Sequence, residues 1–127
     1  MIGYVANIEE LTLANNYFRQ VLFTGKYCQL VVMCLQIGEE IGLETHASVD
    51  QFFRIESGEG KVIMNGEENA IKDGSAIIVP AGTEHNVINT GSVPLKLYTL
   101  YSPPNHKDGI IHVNKAEALA DETDIVS

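Results

Sequence analysis

Apolar residues along this chain fall mostly at strand spacing. In DQFFRIE (residues 50–56), Gln51, Phe53 and Ile55 share one face, and Asp50, Phe52, Arg54 and Glu56 share the other, because successive side chains of a strand alternate. The face of Phe53 and Ile55 is expected to point inward, carrying Gln51 with it and sending Arg54 and Asp50 out. The runs YFRQVLFT (17–24) and LVVMCLQI (30–37) read differently, with apolar residues on both faces. Leaving such faces wet would expose more than the roughly 300–600 Å² of contiguous apolar surface usual for a monomer. A second covering surface is therefore predicted, most simply another copy of the chain in a homodimer.

Turn residues punctuate the strands. KVIM (61–64) runs into Asn65-Gly66, a strong two-residue hairpin signal, and returns as ENAIK (68–72). Asp73-Gly74 makes the next turn. AIIVP (76–80), HNVIN (85–89) and SVPLKLYTLYSPP (92–104) follow, the last stopped by Pro103-Pro104. Helical composition occurs only near the ends, in NIEELTLAN (7–15) and NKAEALADE (114–122). Each opens with a capping-box pair, Asn7 with Glu10 and Asn114 with Glu117. The pattern predicts an all-β sandwich or barrel over about 17–102, with a short C-terminal helix over about 114–122.

Composition narrows the partners. At 127 residues and 45% hydrophobic content the chain suits one domain, 1–127. A net charge of −9, with only eight Lys plus Arg, argues against nucleic acid and anionic membrane surfaces and leaves small molecules or proteins. No apolar run reaches the length of a membrane span, and MIGYVANIEE has no basic or apolar leader pattern, so a soluble cytoplasmic protein is expected. Cys28 and Cys34 lie six apart in an extended segment, about 20 Å between Cα atoms, too far for a disulfide. Both are expected to be reduced core thiols.

Two stretches carry polar residues at fixed offsets inside this β sequence. The first, GEEIGLETHASVDQFFRIESG (38–58), places Glu44 and His46 two apart, where an extended strand would aim both from one face, then Gln51 and Gly58. The second places Gly74, Pro80, Gly82, His85 and Asn89 in order. Gly58, Gly74 and Gly82 read as turn residues with positive φ. The lone histidines His106 and His112 read as hydrogen-bonded core or surface residues.

These spacings resemble the two motifs of the cupin superfamily. The first family motif runs Gly, five residues, His-x-His, three or four residues, Glu, six residues, Gly. Here Glu44 stands for the first histidine and Gln51 for the glutamate. Asp50 is the rival to Gln51, but the six-residue spacing would then end on Ser57. The second motif is met at every position. The resemblance implies a double-stranded β-helix (jelly-roll) barrel whose interior holds a divalent metal ion through Glu44, His46, Gln51 and His85. Two imidazoles, one carboxylate and one amide oxygen suit Zn²⁺, Mn²⁺, Fe²⁺ or Ni²⁺.

The function implied is that of a small metal-dependent enzyme acting on a small sugar or oxygen-rich metabolite, isomerase-like or dioxygenase-like. The alternative is a non-catalytic cupin module that binds a small ligand. The ligand set is similar to that of the zinc-dependent mannose-6-phosphate isomerase cupins, with carboxylate and amide in exchanged places. Dioxygenase cupins usually keep the His-x-His and Glu pattern, which this chain breaks twice. Phe53, Ile55 and Val87 would line an apolar wall. With Arg54 outward, no cation and no catalytic base is placed in the pocket.

Overall fold

The computed structural model describes residues 2–124, so the ends of the expected 1–127 domain lie outside the described residues. In chain order the elements are α1 (Ile8–Ala14), β1 (Arg19–Thr24), β2 (Gln29–Leu35), β3 (Asp50–Ser57), β4 (Glu59–Met64), β5 (Glu67–Lys72), β6 (Ala76–Val79), β7 (His85–Asn89), β8 (Leu95–Ser102), β9 (Ile111–His112) and α2 (Lys115–Ala120). Both helices start at the expected caps. The Asn7 side chain accepts from the Glu10 N–H, and the Asn114 side chain from the Glu117 N–H. No described helix is long and apolar enough to cross a membrane.

The strands form two antiparallel sheets, one in the order β6-β3-β8-β2-β1-β9 and the other β5-β4-β7. Their inner faces meet over a core that includes Phe53, Ile55, Val62, Val79, Val87, Leu95 and Leu97. This is the expected double-stranded β-helix, though the hydrogen-bond ladder of the described residues does not close into a continuous barrel. The sheets join through packed side chains, as in a sandwich.

Register follows the hydrophobic pattern. In β3, Gln51, Phe53 and Ile55 are buried while Asp50 is exposed, its carboxylate accepting from the Ala81 N–H at 2.8 Å. At the β4–β5 hairpin, Asn65 (φ 48°) and Gly66 (φ 83°) both adopt the left-handed region that a two-residue type I′ turn requires. Gly58, Gly74 and Gly82 also have positive φ, as their turns predicted. The short β9, which pairs with β1, carries too brief a pattern to be read from sequence.

The doubly apolar β2 is covered within the chain. Val31, Met33 and Leu35 face the core, and Val32 and Cys34 on the other face are each 1% exposed. The helix α1 lies against this outer face, over β8, β3 and β2. The ground for a second copy therefore no longer follows from β2. Of the two cysteines, Cys34 is a buried thiol, but Cys28 is exposed, because it sits in the β1–β2 turn and not inside a strand.

Gly60 lies close against the paired strand β7. A Cβ built there would overlap the Ile88 carbonyl oxygen of that strand. Gly60→Ala is expected to lower the unfolding free energy by about 2 kcal/mol, since backbone cannot yield as a flexible side chain would. Urea denaturation of the two proteins checks this; equal midpoints would show that the sheet gives way freely.

Candidate metal centre

Glu44 reaches the interior by pairing with β7. It lies outside the regular strands, yet its N–H donates to the His85 carbonyl and the His85 N–H donates to its own carbonyl, both at 2.9 Å. Such a reciprocal antiparallel pair puts the two side chains on one face. The Gly42 N–H donates to the Asn86 side-chain oxygen at 2.9 Å, and the Gly82 N–H to the His46 carbonyl at 2.8 Å, pinning the segment on either side. The expected extended strand under Glu44 and His46 is thus a short irregular run held against β7.

Ligand atoms of Glu44, His46 and His85 all lie within 4.8 Å of one another. The His85 Nδ1–H donates to the Thr83 carbonyl at 2.9 Å, which fixes the tautomer and leaves Nε2 with a bare lone pair. His46 Nε2 stands 2.9 Å from Glu44 Oε2 but out of line for a hydrogen bond, and it is buried with no hydrogen-bond partner. Two donors each roughly 2.1 Å from one ion and at right angles would stand about 3 Å apart. Gln51 shares the inner face of β3 with Phe53, whose ring meets His85 at 6.5 Å. Its amide nitrogen donates to the Thr99 hydroxyl at 3.1 Å, while its Oε1 is buried without a partner. Buried polar atoms rarely stay unpaired. Glu44, His46 and His85, with one carboxylate and two imidazoles, thus form a candidate metal site.

Charge in the site is arranged accordingly. Burial pushes the Glu44 carboxyl up, but contact with His46 and the positive fields of Arg19 and His85 outweigh it, so the pKa lies below the ordinary glutamate value. Glu44 is then ionised at neutral pH and available to a cation.

Glu44 and His46 open onto a cavity of about 250 Å³, whose other walls include Arg19, His106, Lys115, Leu119, Asp121 and Asp124. Here the structure supplies what the sequence left out. Arg19, placed in neither the site nor the pocket by pattern, is 6% exposed and lines this cavity, so the expectation of a pocket without a cation is corrected. The one signal was a single charge inside the apolar run YFRQVLF. Arg54 does point away, paired with Glu56 at 3.2 Å. His106 and His112 are both buried and hydrogen-bonded, as expected, and each holds an acid of the C-terminal segment, Asp124 at 2.6 Å and Asp121 at 2.9 Å.

Gln29 secures the loop that carries His106. Its amide nitrogen donates to the His106 carbonyl at 2.7 Å and its oxygen accepts from the His106 N–H at 2.9 Å. With the His106 Nδ1–H donating to Asp124, Nε2 accepts from the Tyr101 hydroxyl at 3.1 Å. Burial holds the Tyr101 phenol above its usual pKa, so it keeps its proton and donates. The Tyr101 ring also faces His46, with centroids 6.0 Å apart.

Comparison with known proteins agrees with this architecture. The family described as a cupin domain matches residues 31–101. The chain is 54% identical over 125 residues to the uncharacterized protein YrkC of Bacillus subtilis (strain 168), covering 94% of this chain and 67% of that protein. It is 47% identical to BH2720 of Bacillus halodurans, whose crystal structure superposes with a TM-score of 0.92 over 93% of this chain and 94% of the other. An uncharacterized protein with a double-stranded β-helix domain from Klebsiella pneumoniae subsp. pneumoniae shares the fold at 24% identity, with a TM-score of 0.70 over 81% and 92% of the two chains.

Burial, followed by the field of Arg19, pushes the His106 pKa down to about 4 despite the opposing pull of Asp124. Its folded pKa lies below the unfolded value of about 6.5, so the unfolded chain binds a proton that the native chain refuses. The linked stability is fully present above pH ~6.5 and is lost as pH falls toward ~4, about 3 kcal/mol in all at ~1.4 per pH unit. The depressed carboxylates, Glu44 and Asp121, add their losses only as pH falls through the carboxylate range. Urea midpoints between pH 6.5 and 4.5 should fall for the native sequence and change far less for His106→Gln. Parallel slopes would show that His106 is not the group responsible.

Proposed function

The chain belongs to the cupin family, and on that premise we propose that it is a metal-dependent cupin in which Glu44, His46, Gln51 and His85 hold a divalent ion that acts on a small oxygen-rich metabolite. The observation that carries this reading is the convergence of the Glu44, His46 and His85 ligand atoms within 4.8 Å of one another, together with the bare Nε2 of His85 and the buried Oε1 of Gln51, which has no partner among the described residues.

When bound, the ion would supply Lewis acidity toward a carbonyl or enediol oxygen of the substrate. The chain's own residues do the remaining work. Glu44 contributes the single ligand charge, so a divalent ion leaves the site net positive and favours an anionic substrate oxygen. The Thr83 carbonyl holds the His85 ring, while Phe53, Val87 and Tyr101 keep bulk water from the ligand atoms. A cavity of about 250 Å³ suits a metabolite of a few heavy atoms.

Isomerase-like proton transfer is favoured over oxidation by one observation. Tyr101, His106 and Asp124 form a line beside His46 in which the phenol holds a proton and the histidine offers an acceptor. No residue on this line is a proposed metal ligand, so proton movement would leave the ion's ligands in place.

Elemental analysis of purified protein tests the ligand assignment. His46→Ala and His85→Ala should each lose most of the bound metal, and Asp50→Ala should keep it. Gln51→Glu should tighten Mn²⁺ or Fe²⁺ by adding a second carboxylate. Full metal in both histidine variants with loss in Asp50→Ala would overturn the assignment.

A further inference from the structure

We propose that Arg19 is the anion-binding residue of the cavity, and that the metabolite this chain takes is a small organic acid whose carboxylate is gripped by the guanidinium. The inference rests on the metal reading only for the identity of the neighbouring group; the arginine and the cavity stand on their own geometry.

Arg19 is a buried cation without an anion. At 6% exposure its guanidinium has left water, yet among the described residues no carboxylate lies within 4.0 Å of it. Burying an unpaired charge is costly, and the chain's nearby acids are already engaged. Glu44 faces His46, Asp121 is held by His112, and Asp124 is held by His106. An anion arriving in the cavity would fill the missing place.

The guanidinium is also held ready. Its hydrogen bond is from Nη1 to His112 Nδ1 at 3.2 Å. Arginine can only donate, so His112 Nδ1 accepts and its Nε2–H donates to Asp121 Oδ2 at 2.9 Å. From below, the Phe18 ring supports the cation, 5.2 Å from ring centroid to Cζ. This arrangement fixes one edge of the fork and leaves Nε, buried without an acceptor, on the other. The Nε and Nη2 edge is one that binds a carboxylate through two parallel hydrogen bonds.

Position then defines the substrate class. Arg19 shares its cavity with Glu44 and His46, so a ligand bound to the guanidinium lies beside the proposed metal ligands. A short acid with a hydroxyl or carbonyl next to the carboxylate meets both demands within about 250 Å³, the carboxylate on Arg19 and the second oxygen toward the metal ligands. Lys115 on α2, also in the wall, adds positive charge at the rim.

Nuclear magnetic resonance of ¹⁵N-labelled protein tests this through the side-chain Nε–H signal of Arg19, identified by its loss in Arg19→Lys. Glycolate and the neutral ethane-1,2-diol are titrated into metal-free and zinc-loaded protein. Glycolate is expected to shift the Arg19 signal saturably in both forms and to bind at least about tenfold tighter than the diol, a difference of about 1.4 kcal/mol. Arg19→Lys should keep the fold, judged from its backbone spectrum, and lose that preference; if it does not fold, the Arg19 Nε–H signal is assigned by through-bond correlation to its own backbone amide and the native titration decides. An Arg19 signal unmoved by glycolate, or equal binding of acid and diol, overturns the proposal. If zinc binds but glycolate leaves Arg19 unmoved, the carboxylate inference fails and the metal reading stands. If no zinc binds but glycolate shifts Arg19, the metal reading fails and the anion site stands.

Discussion

The site depends on one reciprocal pair of backbone hydrogen bonds, between Glu44 and His85. Residues near Glu44 form no regular strand, so nothing in their own propensity would hold a carboxylate in the interior. The two 2.9 Å bonds to β7 do so, and they set Glu44 and His85 on a common face. His46, two residues on, is fastened by the bond from the Gly82 N–H to its carbonyl. In turn β7 is fixed by Asn89, whose buried amide donates to the carbonyls of Leu35, Gln36 and Val93. The last asparagine of the second motif is therefore a structural tie, and the histidine four residues before it inherits the rigidity. Preorganised ligands of this kind lose little entropy when a cation arrives.

Around that centre the polar groups of the interior fall into two sets. One consists of acceptors without donors, on His46 and Gln51. The other is Arg19, a cation with no carboxylate within 4.0 Å among the described residues. The histidines between them are tied to acids of the C-terminal segment, His106 to Asp124 and His112 to Asp121, so the same contacts that seat α2 over the cavity also fix histidine tautomers. Both sets of unsatisfied groups are expensive to bury, and His46 of the first and Arg19 of the second line one cavity. A cation for the first and an anion for the second resolve them together. A metal ion with an acidic metabolite is the simplest pair to do so.

Much of the fold was legible because its signals are local. Alternation in β3 decided that Gln51 goes in and Asp50 out, and the Asn7 and Asn114 caps needed only a three-residue offset. Asn65-Gly66 required only the conformational freedom of its own two residues. What failed to show was set by contacts distant in sequence. The covering of β2 by α1 depends on packing, which the doubly apolar pattern alone does not reveal. Arg19, His106 and His112 meet Asp121 and Asp124 only after the chain has folded back, and no spacing rule links residue 19 to residue 112. The spaced motifs proposed the ligands; they could not reveal the groups that would face the substrate.

The metal centre is tested most directly by anomalous X-ray diffraction from crystals of manganese-loaded protein. The predicted result is one strong anomalous peak within about 2.0–2.4 Å of His46 Nε2, His85 Nε2, a Glu44 carboxylate oxygen and Gln51 Oε1. No peak there under saturating manganese, or a peak held by other residues, would contradict a metal centre at this site.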